Sequence, residues 1–203
     1  AGTIGHGLGA VPQMMIVKLR NTSGGSWIVY HHKMGTSPED LRMFLDSNDA
    51  SGTSTANFNS TAPTSTVFSV GGISATNGSS ADYVAYIFTA IEGYSKFGSY
   101  SGNGSTDGTF VYTGFRPRWI MFKRKDSADN WAIHDTTRDP FNPLENYIYA
   151  DTLATQTTFS TAKVDYLSNG FKWRGAVNYG NNSSGTYIYM AFAEQPFKFS
   201  NAR

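Results

Sequence analysis

Cysteine is absent from the 203 residues, which removes disulfides and thiolate metal sites and leaves the redox compartment unreadable. Charge is scarce as well. Charged residues make up 15% of the chain, the net charge is +1, and no basic cluster exceeds Lys123-Arg124-Lys125. A nucleic-acid partner is therefore not expected, because phosphate binding needs a larger basic footprint. No apolar run approaches the length of a membrane span, so membrane insertion is not expected. The N-terminal Ala1-Gly2-Thr3-Ile4-Gly5-His6 lacks the basic-then-apolar layout of a signal peptide. Aromatic residues equal charged ones at 15%, which argues for a packed core rather than disorder. Gly, Ser, Thr and Asn separate short apolar runs, the texture of many strands joined by turns.

The chain reads as a tandem duplication. Pro12-Gln13-Met14-Met15-Ile16-Val17-Lys18 recurs as Pro117-Arg118-Trp119-Ile120-Met121-Phe122-Lys123, a shift of 105 positions. Trp27 falls on Trp131, Ser79-Ser80-Ala81-Asp82-Tyr83-Val84 on Ser183-Ser184-Gly185-Thr186-Tyr187-Ile188, and Phe88 on Phe192, all at a shift of 104. Lys96-Phe97 resembles Lys198-Phe199 after a slip of two. A fixed period of this kind marks repeated structural units. The repeats are taken as 1–98 and 99–203. Ser99-Tyr100-Ser101-Gly102-Asn103-Gly104-Ser105 reads as a strand and turn with no counterpart in the first copy. The expectation is a chain cut at its N-terminus, or a strand supplied by a parent protein; the alternative is a first copy that lacks it.

The fold expected is an all-β, antiparallel β-sandwich with one or two short helices. Met14 to Val17 and Trp119 to Phe122 are apolar without alternation, so both faces should be covered. Trp27 to Tyr30 and Trp131 to Ile133 should be the next strands, reached by hairpins. Later strands are expected at Thr66 to Val70, Tyr83 to Thr89, Phe110 to Thr113, Val164 to Leu167, Gly170 to Arg174 and Thr186 to Ala193. Ser37, Pro38, Glu39 and Asp40 carry helix-start signals, with Leu41, Phe44 and Leu45 as an apolar face. One or two turns of helix are expected from Leu144 to Tyr149. Whether the copies form two sandwiches or share one core is open at this level.

Few residues suggest chemistry. Neither Gly-x-Ser-x-Gly nor His-Glu-x-x-His occurs. Asp135 and Asp139, with His134 beside them, form the one compact acidic cluster, and a glycosidase needs two carboxylates across one bond. The first copy has His31-His32-Lys33 there, so the loop reading prevails and no catalytic residue is assigned. His31 and His32 point to opposite faces of a strand and cannot chelate one ion. Asp126 with Asp129 is too few oxygens for calcium. No metal and no cofactor are expected. Gly102-Asn103-Gly104-Ser105-Thr106-Asp107-Gly108 has no helix after it, so it reads as a hairpin turn and not a phosphate loop. Aromatics remain the best binding currency. Trp27 and Trp131 occupy equivalent core places. Trp173 in Lys172-Trp173-Arg174 should show one wet face, and with Arg174, Tyr179, Tyr147 and Tyr149 it makes the candidate ligand site.

Several strings are familiar: Tyr83-Val84-Ala85-Tyr86, Glu92-Gly93-Tyr94-Ser95-Lys96-Phe97-Gly98-Ser99-Tyr100-Ser101-Gly102-Asn103-Gly104, Val111-Tyr112-Thr113-Gly114-Phe115-Arg116-Pro117 and Leu167-Ser168-Asn169-Gly170-Phe171. With Tyr187-Ile188-Tyr189-Met190-Ala191-Phe192-Ala193-Glu194 and Pro196-Phe197-Lys198-Phe199-Ser200, they resemble a repeat domain at the C-termini of tail-fibre-like and other structural proteins of tailed bacteriophages, many of them marine. The resemblance implies a virion protein, made in the host cytoplasm, with a lectin-like sandwich. It carries no catalytic or binding residues. The expected function is a non-enzymatic adhesin or tail-fibre domain that binds a host-surface glycan or receptor. It would self-associate as a homotrimer or larger assembly beside other virion proteins. A purely structural virion or filament subunit and a polysaccharide depolymerase are the alternatives.

Overall fold

The computed structural model describes residues 1–21, 23–161 and 163–195. Two compact units are present, Ala1–Thr89 and Ala90–Arg203. The strands of the first are β1 (Gly2–Gly5), β2 (Met14–Leu19), β3 (Ile28–His31), β4 (Leu41–Phe44), β5 (Gly52–Thr53), β6 (Val67–Val70) and β7 (Tyr83–Phe88), with helix α1 (Ser74–Asn77) after β6. The second holds β8 (Ser95–Ser101), β9 (Phe110–Tyr112), β10 (Pro117–Arg124), β11 (Ala132–Asp135), β12 (Asn146–Tyr149), β13 (Thr157–Thr158), β14 (Val164–Leu167), β15 (Gly170–Trp173), helix α2 (Asn178–Asn181) and β16 (Thr186–Ala193). Every strand pairing is antiparallel. The protein is an all-β sandwich fold.

In the first unit a five-stranded sheet runs β5-β4-β3-β2-β7, and β1 and β6 form a separate two-stranded sheet. In the second unit a six-stranded sheet runs β13-β12-β11-β10-β16-β8, faced by β14-β15-β9. Alternation explains the core of this unit. Ile120 and Phe122 on β10 and Tyr189 and Ala191 on β16 face Val164 and Tyr166 on β14, Phe171 and Trp173 on β15, and Val111 on β9. Burying one such large side chain contributes about 1.5–3 kcal/mol. Strands β2 and β10 are buried on both faces from Met14 to Val17 and from Ile120 to Phe122, as the unbroken apolar runs predicted, although Trp119, expected in the second run, is only partly buried.

The two units share fine geometry. Tyr83 donates its hydroxyl to the Ser74 carbonyl at 2.6 Å and accepts the Gly78 N–H at 2.7 Å. Tyr187 does the same with Asn178 at 2.7 Å and Asn182 at 2.8 Å. Each tyrosine thereby ties both ends of a one-turn helix too short to persist alone. Ser80 and Ser184 follow in the left-handed region, at φ 57° and 60°. Trp27 and Trp131 each donate a backbone N–H to an aspartate, Asp46 at 3.1 Å and Asp151 at 3.2 Å.

Several local expectations are corrected. Pro38–Asp40 is a single 3-10 turn, and Leu41 to Phe44 continue as β4, where pairing with β3 outweighs the helix-start signals. The segment expected to be a helical turn, Leu144 to Tyr149, holds β12, which pairs with β11. The two helices lie instead at Ser74–Asn77 and Asn178–Asn181. The glycine-rich segment after β8 is no hairpin, because β8 and β9 belong to different sheets. The strand expected from Ser99 begins at Ser95, so the repeat boundary at 98/99 falls inside β8. Trp131 is buried, whereas Trp27 is only partly so. The Lys198-Phe199 match lies outside the described residues.

The two large sheets differ at one edge. In the second unit β16 lies between β10 and β8 and is buried nearly throughout. In the first, its equivalent β7 is the outermost strand among the described residues, with Ala85 and Tyr86 exposed.

Candidate functional site

The five aromatic and basic candidates do not form one site. Trp173 is fully buried, with its Nε1–H donating to the Tyr100 hydroxyl at 2.8 Å, so no face of it is wet and it is not a ligand contact. The alternation of β15 explains this, since Trp173 shares its face with Phe171 and Lys172 takes the other. Arg174 is exposed and pairs through Nε with Asp165 at 2.6 Å. Tyr147, Tyr149 and Tyr179, by contrast, converge on one cleft of about 360 Å³ in the second unit, which Asp129, Phe159 and Asn178 complete.

Local structure sets each wall. Tyr147 and Tyr149 are two residues apart on β12, yet their rings meet edge-to-face at 5.2 Å, and their hydroxyls lie 3.5 Å apart. Tyr179 rides on α2, held there by the Tyr187 hydroxyl beneath the helix, and its ring lies 4.9 Å from Tyr147. Gly180 lets α2 sit this close: a Cβ there would stand 2.1 Å from the Trp173 ring. Phe159 is 52% exposed and supplies an apolar rim.

Behind the tyrosines lies His134, fully buried among aromatic rings. Its Nε2 is 3.1 Å from the Tyr179 hydroxyl, and its Nδ1 has no hydrogen-bond partner among the described residues. Burial pushes the imidazole down to about 3, against a weak opposite pull from Asp139, so the ring is neutral at ordinary pH. Burial also raises the phenols of Tyr149 and Tyr179, which stay protonated and can donate. Burial raises the Asp129 carboxyl, opposed by the Asn130 amide and by Lys123 and Arg124. The cleft thus presents flat apolar area, neutral hydroxyls, one acid and one amide. That set suits a neutral polyhydroxylated ligand better than a strongly charged one.

The acidic cluster has a structural role. Asp135 Oδ1 accepts the N–H groups of Thr137 and Arg138, both at 3.0 Å, and its Oδ2 pairs with Arg138 at 2.9 Å. Asp139 accepts the backbone N–H groups of Glu145 at 2.7 Å and Asn146 at 2.5 Å, and the Asn146 side-chain amide. His31 holds the place of Asp135 in the first unit and accepts the Lys33 N–H at 3.1 Å, so the position caps a turn in both copies. Asp126 does not join Asp129 in a metal site. Burial raises its carboxyl, but hydrogen bonds from Arg124 and Thr186 outweigh this and bring it down to about 2. Among the described residues no cluster of three or more His, Cys, Asp or Glu could hold a metal ion. No helix among them is long and apolar enough to cross a membrane.

Sequence reasoning missed Asp129, Phe159 and Asn178 as cleft residues. Phe159 did leave a signal, as a lone aromatic within Thr157-Thr158-Phe159-Ser160. The tyrosine set has no equivalent among the described residues of the first unit. By strand register Phe44 stands where Tyr149 does, and α1 carries Ala75 at the place of Tyr179.

One family matches residues 1–196, spanning both units. The chain belongs to that family, described as Domain of unknown function (DUF7483). No curated protein and no solved structure matches the chain.

Proposed function

We propose that the chain is a non-enzymatic virion protein, an adhesin or tail-fibre domain whose second unit binds a host-surface glycan. The cleft of Tyr147, Tyr149 and Tyr179 carries the reading. Aromatic walls offer flat faces to the apolar faces of a sugar ring, and the tyrosine hydroxyls, Asp129 and Asn178 meet its hydroxyls. A cleft of about 360 Å³ suits one or two rings. The virion context rests on the sequence strings that resemble tailed-phage C-terminal repeats. A depolymerase is disfavoured, because Asp135 and Asp139 are both engaged with backbone amides.

Glycan-array screening of the purified chain, followed by titration of any hit, tests the proposal. Tyr149→Ala removes a half-buried wall and should weaken binding about tenfold or more without unfolding the unit. Unchanged affinity in that variant, or an array with no hit, defeats the adhesin reading. A second reading, a structural virion or filament subunit, is favoured by the open edge of β7 in the first unit.

A further inference from the structure

The outer edge of β7 is a sheet edge without the usual protection. Arg20 N–H donates to the Asp82 carbonyl at 2.8 Å, which fixes the phase of the β2–β7 ladder. Val84, Tyr86 and Phe88 therefore share their backbone groups with β2, and Tyr83, Ala85 and Ile87 turn theirs outward. No strand among the described residues takes them up. Folded proteins blunt such edges with charge, proline, bulges or shortness. The strand Tyr-Val-Ala-Tyr-Ile-Phe has six residues, no charge and no proline. The other edges of the large sheets are blunted: β5 and β13 have two residues each, and β8 carries Lys96 and Gly98.

The second unit shows what this edge accepts. There β8 pairs with β16, with Tyr187 opposite Tyr100, Tyr189 opposite Gly98 and Ala191 opposite Lys96. Gly102 N–H to Gly185 O and Ala193 N–H to Tyr94 O, both 2.8 Å, place these among the hydrogen-bonded pairs. A shift of 104 carries Tyr187, Tyr189 and Ala191 onto Tyr83, Ala85 and Ile87, the residues left open in the first unit.

We propose that the β7 edge receives an antiparallel strand of the β8 type from a second copy of this chain. The sequence holds one further run of that type. Phe197-Lys198-Phe199-Ser200 aligns its Lys-Phe with Lys96-Phe97, which puts Ser200 at the place of Gly98. The size change is matched across the pair. In the second unit a Cβ at residue 98 would stand 2.6 Å from the Tyr189 hydroxyl oxygen, so glycine is required. In the first unit Ala85 replaces that tyrosine and leaves room for serine. Such a contact joins unlike surfaces and builds a head-to-tail chain of copies. The inference is independent of the glycan reading.

Sedimentation of the full chain over a wide concentration range provides the test, with three perturbations. Ala85→Pro removes an outward N–H while sparing the β2 ladder, and should weaken association about tenfold or more. Ala85→Ser keeps the N–H and should leave association in place. A synthetic peptide of residues 197–203 should cap the edge and suppress association. N-methylation at Ser200, whose N–H would face Ala85, should abolish that suppression, whereas N-methylation at Phe199 should not. If Ala85→Pro loses its fold, the two methylated peptides still decide. A chain that stays monomeric throughout, or associates regardless of proline and peptide, overturns the proposal. So does a peptide that binds a chain which never self-associates, since the donor is then another polypeptide.

Discussion

Acid should destabilise the second unit through a single side chain, His134. The ring is fully buried, and its imidazole is pushed down to about 3 from an ordinary value of 6.5. The folded state thus refuses a proton that the unfolded state accepts. Stability is whole above pH 6.5 and is lost as pH falls from there towards 3. At pH 5 the unfolded chain lies 1.5 units below the ordinary value while the folded ring is still neutral, which removes about 2 kcal/mol at 1.36 kcal/mol per unit. The assay is urea unfolding of the wild type and His134→Phe between pH 7.5 and 4.5. The phenylalanine variant cannot titrate there, and it leaves the Tyr179 hydroxyl without its partner at a cost of about 1–2 kcal/mol. It should be the weaker protein at pH 7.5 and match the wild type near pH 5. Because other groups titrate alike in both proteins, the difference between them isolates His134. A difference that stays constant across this range refutes the argument.

Two further substitutions follow from the packing. Gly180→Ala puts a methyl group 2.1 Å from the ring of Trp173, which has no space to retreat, and should cost about 3 kcal/mol in a denaturation assay of the second unit. Tyr187→Phe removes the hydroxyl that ties both ends of α2 and should cost about 1–2 kcal/mol; Tyr83→Phe should cost the same in the first unit, each measured as a shift in urea midpoint.

The sequence made the sandwich legible because it rests on periodicity. Buried runs such as Met14 to Val17 state their own burial. It misplaced the helices because local signals at Ser37 and Pro38 were strong, whereas α1 and α2 depend on Tyr83 and Tyr187, several residues downstream. The cleft was half legible. Tyr147, Tyr149 and Tyr179 stood out as aromatics, but Asp129 and Phe159 reach the site only by folding together from separate loops. Trp173 misled because its charged neighbours, Lys172 and Arg174, point away from the face that the tryptophan buries. The open edge of β7 depends on strand order, which hydrophobic pattern alone does not give.

The placement of β16 governs how the second unit can be made. Tyr187 meets Tyr100 across a loop of roughly ninety residues, a closure costing about 4 kcal/mol of chain entropy. β16 is also an inner strand of its sheet, bonded on one side to β10 and on the other to β8. During synthesis both neighbours must wait, with their facing edges bare, until β16 leaves the ribosome. A chain that stops before residue 186 forfeits two ladders at once in this unit. The corresponding loss of β7 from the first unit would remove only one.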